Sequence, residues 1–338
     1  MRNTPLKDPY LVDAASARAA PGSFFGKLRF LGPGFILSAS VVGSGELIAT
    51  TTLGARAGFV TLWVILVSCL VKVFLQLEFG RQSIIRGVSA MNMMNHLPGP
   101  RFGKSRSSWG VWAWLVLWVF KPLQLGGIIG GVAMILNIAL PVLSVGSWAI
   151  ITAVVVITIM LFGYYEMVEK ISLFFMGIFV LFTLIALFMV QKTGFAIRLS
   201  DLGEGLSFQL PRGTVGFALA AFGLTGVGGD EILSYNYWCI EKGYARFSGP
   251  SDKSPEWKKR ARGWIRIMYL DAFLSMIVYT VVTAAFFMLG AAILYQRKEI
   301  PEGYKMIETL SRIYTESVGP TAKNIFLGGS FVVLFSTL

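Results

Sequence analysis

Apolar runs long enough to cross a bilayer recur along almost the whole chain, and no other feature restricts the possible folds so far. Crossing a hydrocarbon core takes roughly 20 apolar residues in helical form. Such runs lie near residues 31–54, 58–80, 110–138, 147–163, 167–190, 213–239, 265–294 and 324–338, with charged punctuation between them. None alternates with the period of two expected of a membrane barrel strand, so each backbone must satisfy its own hydrogen bonds as a helix. The expected class is all-α and polytopic. A chain of 338 residues that is 55% hydrophobic and only 14% charged, with a mean hydropathy of +0.66, carries far more apolar surface than one soluble core can absorb.

The net charge of +12 would suit a nucleic-acid binder, but the basic residues fall in loops rather than among exposed aromatics. Arg2, Lys7, Arg18, Lys27 and Arg29 lie in the N-terminal segment, and Arg81, Arg86, Arg101, Lys104 and Arg106 follow the second run. Lys242, Arg246, Lys253, Lys258, Lys259, Arg260 and Arg262 follow the sixth. These three segments share one side of an up-and-down helical chain, and the positive-inside rule makes that side, with the N-terminus, cytoplasmic. The expected partner is a lipid bilayer, that of the plasma (inner) membrane, and no nucleic acid. The polar start, residues 1–27, has no cleavable leader pattern and reads as a disordered cytoplasmic tail. Cys69 and Cys239 fall in or at the end of apolar runs, as small core residues do. With His96 the lone histidine, in a loop, no histidine-based metal or catalytic cluster can form.

Two of the runs are interrupted in the same way. Residues 42–48 read Val-Gly-Ser-Gly-Glu-Leu-Ile, and residues 227–233 read Val-Gly-Gly-Asp-Glu-Ile-Leu. Each puts glycines ahead of a carboxylate and then resumes an apolar helix, one in the first run and one five runs later. An odd repeat unit inverts its second copy across the membrane, which predicts inverted five-helix repeats with a site at the midplane between the broken helices. The first repeat covers 28–191 and an incomplete second covers 192–338. Glycine tolerates unwound backbone, whose carbonyls can face a cation, while the helix resuming after each break favours a carboxylate in its first turn. Charges at mid-membrane cost about 2.5–3.5 kcal/mol each on insertion scales, so three in two short breaks call for a use. The expected cation site is therefore Glu46, Asp230 and Glu231, with Gly43, Gly45, Gly228 and Gly229 supplying open backbone. The bland alternative makes the carboxylates caps of half-helices or partners of buried basic groups such as Lys121. Glu78 and Asp271, read as lying near helix ends, are expected to be structural.

Leu31-Gly32-Pro33-Gly34-Phe35, followed by Gly43-Ser44-Gly45-Glu46 and by LGARAGFVTLWVILVSCLVKVFLQ, resembles the Nramp family of divalent-metal transporters. That resemblance runs from about residue 26 to the end. It implies a LeuT-type fold with helices 1 and 6 broken, a divalent cation such as manganese or iron as substrate rather than cofactor, and protons as a coupled partner. It also exposes departures. The family's metal-binding Asp falls on Gly43 and its Asn on Glu46, and its Met-Pro-His-Asn falls on Gly228-Gly229-Asp230-Glu231. The acidic pair of its third helix falls on Leu125 and Ile128, beside Gln124. The sulfur ligand is gone and the remaining donors are hard oxygens, which suits magnesium, manganese or calcium. The expected function is secondary active transport of a divalent cation by alternating access. The alternatives are the same fold moving another cation, an organic cation, a sodium-coupled solute or a small amino acid, or a transport-inactive receptor or scaffold. No nucleophile elbow, zinc-protease motif or paired Ser and Lys points to an enzyme. The eighth run stops after about 15 residues, so the expectation is a fragment whose second repeat lacks most of helix 8 and all of 9 and 10. Gln296–Lys323 is expected to form an amphipathic helix on the membrane face.

Overall fold

The computed structural model describes residues 12–34, 43, 45–162 and 165–338. Among the described residues the regular structure is helical apart from one hairpin of two-residue strands, Arg101–Phe102 with Ser107–Ser108. After the Gly43 turn, Gly45–Thr50 forms a π-helical turn that leads into α1 (Thr51–Ala57). Then come α2 (Leu62–Arg86), α3 (Trp109–Ala139), α4 (Val145–Phe162) and α5 (Tyr165–Met189). The sixth expected run is split into α6 (Val215–Leu224) and α7 (Gly229–Glu241). The long α8 (Pro255–Leu289) precedes the short α9 (Met306–Thr315) and α10 (Ala322–Ser336).

Among the described residues, six helical stretches are long and apolar enough to span a membrane, from Gly45–Arg86 to Pro255–Arg297. The sequence separates the first two runs at residues 55–57. The structure places the joint at Gly58, whose φ of +63° only glycine adopts cheaply, followed by one tight turn to Thr61. Residues 35–42 and 44, part of the first expected run, lie outside the described residues. In α4 only 6% of the apolar window is buried, and side chains such as Ile150, Val154, Ile157 and Leu161 are exposed. That much bare aliphatic surface is tolerable where the surroundings are hydrocarbon.

Contacts divide the chain into two compact units. One comprises Met1–Ser38, Leu70–Val119 and Val227–Ile277; the other comprises Ala39–Cys69, Phe120–Gly226 and Val278–Leu338. In the first, parts of the three basic segments meet. The Arg18 N–H donates to the Phe247 carbonyl at 2.8 Å, the Trp264 indole donates to the Arg18 carbonyl at 2.9 Å, and Val12 lies against Gly87. Residues 12–27 are thus not the featureless tail that their polarity suggests. Asp13 caps the turn Ala14–Ser16 and Ser23 caps the helix Phe24–Leu28.

In the second unit the core is aromatic. Phe182 stacks on Tyr314 with ring centroids 5.1 Å apart, Tyr314 meets Phe326 at 5.1 Å, and Phe179 packs between Tyr314 and Phe326. Gly329 of α10 lets that helix close on Phe179, since any Cβ there would enter the ring. The backbones of α1 and the turn Gly290–Leu294 approach through Gly54 and Gly290, neither of which has room for a side chain. The expected amphipathic helix exists as α9. Its apolar face, Ile307, Leu310, Ile313 and Tyr314, is fully buried in the core rather than laid along a membrane surface.

Candidate functional site

The expected break in the sixth run is present. α6 stops at Leu224, residues 225–228 are not helical, and Gly226 takes φ +64°, so the chain turns through the left-handed region between two apolar half-helices. The break around residue 45 is of another kind. Gly45–Thr50 is wound as a π turn, which leaves carbonyls without their usual α-helical partners. The hydroxyls of Thr50 and Thr51 donate to the carbonyls of Gly45 and Glu46, at 3.2 and 3.3 Å, and thereby stabilise the widened turn. Gly45 is needed for a second reason: a Cβ on it would lie 2.6 Å from the Leu224 carbonyl oxygen.

Glu46 sits inside this arrangement at 1% exposure. One carboxylate oxygen accepts the Gly226 N–H at 2.7 Å and the Thr283 hydroxyl of α8 at 3.4 Å. The other faces the Gly43 N–H at 3.5 Å. In the second unit, then, the structure brings together Gly43, Gly45 and Glu46 with the break at Leu224–Gly226. Backbone N–H groups on two sides and a threonine hydroxyl hold this buried carboxylate in one orientation.

Sequence reasoning missed Gly226, Thr283 and the two threonines after Glu46. The signal for the first was faint but present, because Thr225-Gly226 precedes the Gly228-Gly229 pair. Thr283 gave none, since a lone threonine in an apolar run more often bonds its own helix.

The first unit holds the other expected residues. Gly228 caps α7, Gly229 opens it, and Asp230 and Glu231 stand half-buried in its first turn, where the helix dipole favours negative charge. The Glu231 carboxylate folds back over Gly228, leaving no space for a Cβ there. Glu231 therefore occupies the position from which an acidic side chain guards a helix start.

A cavity of about 470 Å³ in the second unit adjoins the turn that carries Glu46. It is lined by Ile48, Ala49, Gln124, Ile128, Leu224 and Tyr304, among others, with no carboxylate among the described residues. Ile128, one of the two positions matched to the family's acidic pair, is thus part of an apolar wall. Among the described residues, no three His, Cys, Asp or Glu side chains are grouped so as to hold a metal ion. Cys69 and Cys239 are buried thiols outside any disulfide.

The family model described as "Natural resistance-associated macrophage protein-like" matches residues 34–336. No curated protein matches the chain in sequence. Solved structures similar in fold include a Glu-to-Gln mutant of the Eremococcus coleocola manganese transporter, with a TM-score of 0.61 at 14% identity over 96% of this chain and 64% of that one. A His-to-Ala mutant of the same transporter and its complex with an aromatic bis-isothiourea substituted compound both give a TM-score of 0.59, at the same identity and coverage. The chain therefore spans 64% of the length of the structures it matches.

Proposed function

Since the chain belongs to the Nramp family, an integral multi-pass membrane protein and not an enzyme, we propose that it moves a divalent metal cation across the membrane by alternating access. Glu46 is the principal ligand in this reading. Its buried carboxylate, set in a widened turn against the glycine break at Gly226, is the observation that carries the proposal. Backbone carbonyls near Gly43 and Gly45 and the Thr283 hydroxyl complete a hard, oxygen-rich set suited to magnesium or manganese. Asp230 and Glu231, with Gly228 and Gly229, are the remaining ligand candidates of this reading. The cavity beside Ile48 and Leu224 is the route by which the cargo reaches Glu46.

The membrane is the plasma (inner) membrane, with the N-terminus in the cytoplasm. The excess of Arg and Lys in the converging basic segments supports that orientation. Proton coupling in this reading runs through Asp230 or Glu231 rather than α3, where Leu125 and Ile128 have no proton to carry.

One observation favours a second reading, a transport-inactive scaffold of the same fold: protein donors already serve the Glu46 carboxylate. Uptake into proteoliposomes separates the two. The transport reading expects manganese or magnesium to accumulate and Glu46→Gln to abolish it. Absence of uptake for every divalent ion tested would favour the scaffold.

A further inference from the structure

A carboxylate outside the proposed cargo site does work that neither the family match nor the transport reading assigns. Asp271 lies seventeen residues into α8, not near its end as the sequence suggests, and is fully buried. Its two oxygens take the backbone N–H groups on either side of Pro33: Gly32 to Oδ1 at 2.9 Å and Gly34 to Oδ2 at 2.5 Å. The Tyr235 hydroxyl of α7 donates to Oδ2 at 3.3 Å, and the Lys242 side chain runs beside Gly32. A side chain on Gly34 would collide with the Asp271 carboxylate and carbonyl, which accounts for the glycine. Pro33 has no N–H, so both donors of the tripeptide go to one acceptor group.

A second fastening lies upstream. The Arg18 guanidinium stands 3.7 Å above the Phe247 ring and 5.2 Å from that of Phe30. The Arg18 backbone is bonded to Phe247 and Trp264, and the Tyr244 hydroxyl donates to the Phe30 carbonyl at 2.7 Å. The stretch from Arg18 to Gly34 is held by directional polar contacts at both ends. Such contacts break within about an ångström of displacement, unlike an apolar seam. A buried charge is seldom the most stabilising choice for a core position, and its best-attested use is to fix one arrangement out of several.

We propose that Asp271 is a positioning residue that fastens the Gly32-Pro33-Gly34 entry of the first helix, and that Arg18 in its aromatic seat is the second pin of the same strap. Residues 18–34 then leave the surface made by residues 235–271 as one piece when that end of the molecule opens. The geometry stands by itself; the part the strap plays in transport rests on the reading above.

Two native thiols make the test possible. Cys239 is buried in the first unit with Tyr235 and Ser83 as side-chain neighbours, and Cys69 is buried in the second. Maleimide labelling of the full chain, followed by mass spectrometry at each cysteine, reads local opening at Cys239 against an internal control. Asn at 271 keeps the shape but has one acceptor oxygen, and its NH2 group faces a backbone donor. Asp271→Asn is expected to raise the Cys239 rate about tenfold or more and leave Cys69 unchanged. Arg18→Ala is expected to raise it less, with partial rescue by Arg18→Lys. An unchanged Cys239 rate in Asp271→Asn overturns the proposal, as does acceleration in Asp271→Asn with none in Arg18→Ala, since loss of the Asp271 charge beside the thiol can by itself speed labelling. Acceleration of both cysteines together, which would report general loss of the fold, overturns it too. Manganese uptake by the same preparations is read separately. Faster labelling in the variant with no uptake by the parent chain would sink the cargo reading and leave the strap standing.

Discussion

Replacing Gly226 by alanine tests the break directly. Gly226 has φ +64°, where an L-residue costs roughly 1–2 kcal/mol. Its new Cβ would also lie 3.1 Å from the Cys69 sulfur, closer than ordinary contact. A sulfur so placed must give way, at about 1 kcal/mol by analogy with mild overpacking. The two terms sum to about 2–3 kcal/mol, which in a chain of this size lowers the unfolding midpoint by several degrees. Because the terms have different origins, a second substitution separates them. In a Cys69→Ala background the steric part vanishes, and the Gly226→Ala penalty should fall to the backbone part, about 1–2 kcal/mol. Thermal unfolding of the four proteins in one detergent gives the cycle. If Gly226→Ala unfolds at the parental midpoint, the chain does not pass through the left-handed region here. The account of how the Gly226 N–H reaches Glu46 would then be wrong.

Three further outcomes follow from the packing. Tyr314→Phe removes a buried hydroxyl 2.8 Å from Thr183 and should cost about 1 kcal/mol, whereas Tyr314→Ala, which empties the stack on Phe182, should cost about 3–5 kcal/mol; thermal unfolding distinguishes them. Arg56 pairs with Glu302 and lies 3.7 Å over the Phe217 ring; because Glu302 is 60% exposed, Glu302→Gln should cost under about 1 kcal/mol, and the loss should shrink in high salt, whereas Arg56→Ala should cost more at every ionic strength. Burial, with the Asp271 charge nearby, holds the Tyr244 phenol well above its ordinary value, so the folded chain keeps its proton while the unfolded chain releases it near pH 10. Stability should therefore be unaffected below about pH 9 and fall as pH rises past about 10, and Tyr244→Phe should remove part of that alkaline loss in midpoints measured from pH 8 to 11.

The membrane-spanning elements were legible because their signal is one of composition over long windows. The expected 110–138 became Trp109–Ala139, and the expected 147–163 became Val145–Phe162. The break in the sixth run was legible from its glycines. The nature of the turn at Glu46 was not, because a π turn depends on which hydroxyls can reach the carbonyls behind it. Asp271 was misread for a related reason. Its importance comes from two N–H groups almost 240 residues away in sequence, and nothing local in α8 announces them. Arg18 likewise looks like one more basic residue of a polar tail until the rings of Phe30, Phe247 and Trp264 surround it. Loop charge gave no sign that these basic segments interlock.

The most direct test of the central claim is calorimetric titration of manganese and magnesium into the purified chain and its Glu46→Gln variant, with unfolding midpoints confirming that both are folded. A carboxylate ligand at position 46 predicts saturable binding of at least one ion by the parent chain, weakened about tenfold or more in the variant. Equal binding by both proteins, or none by the parent, would contradict it.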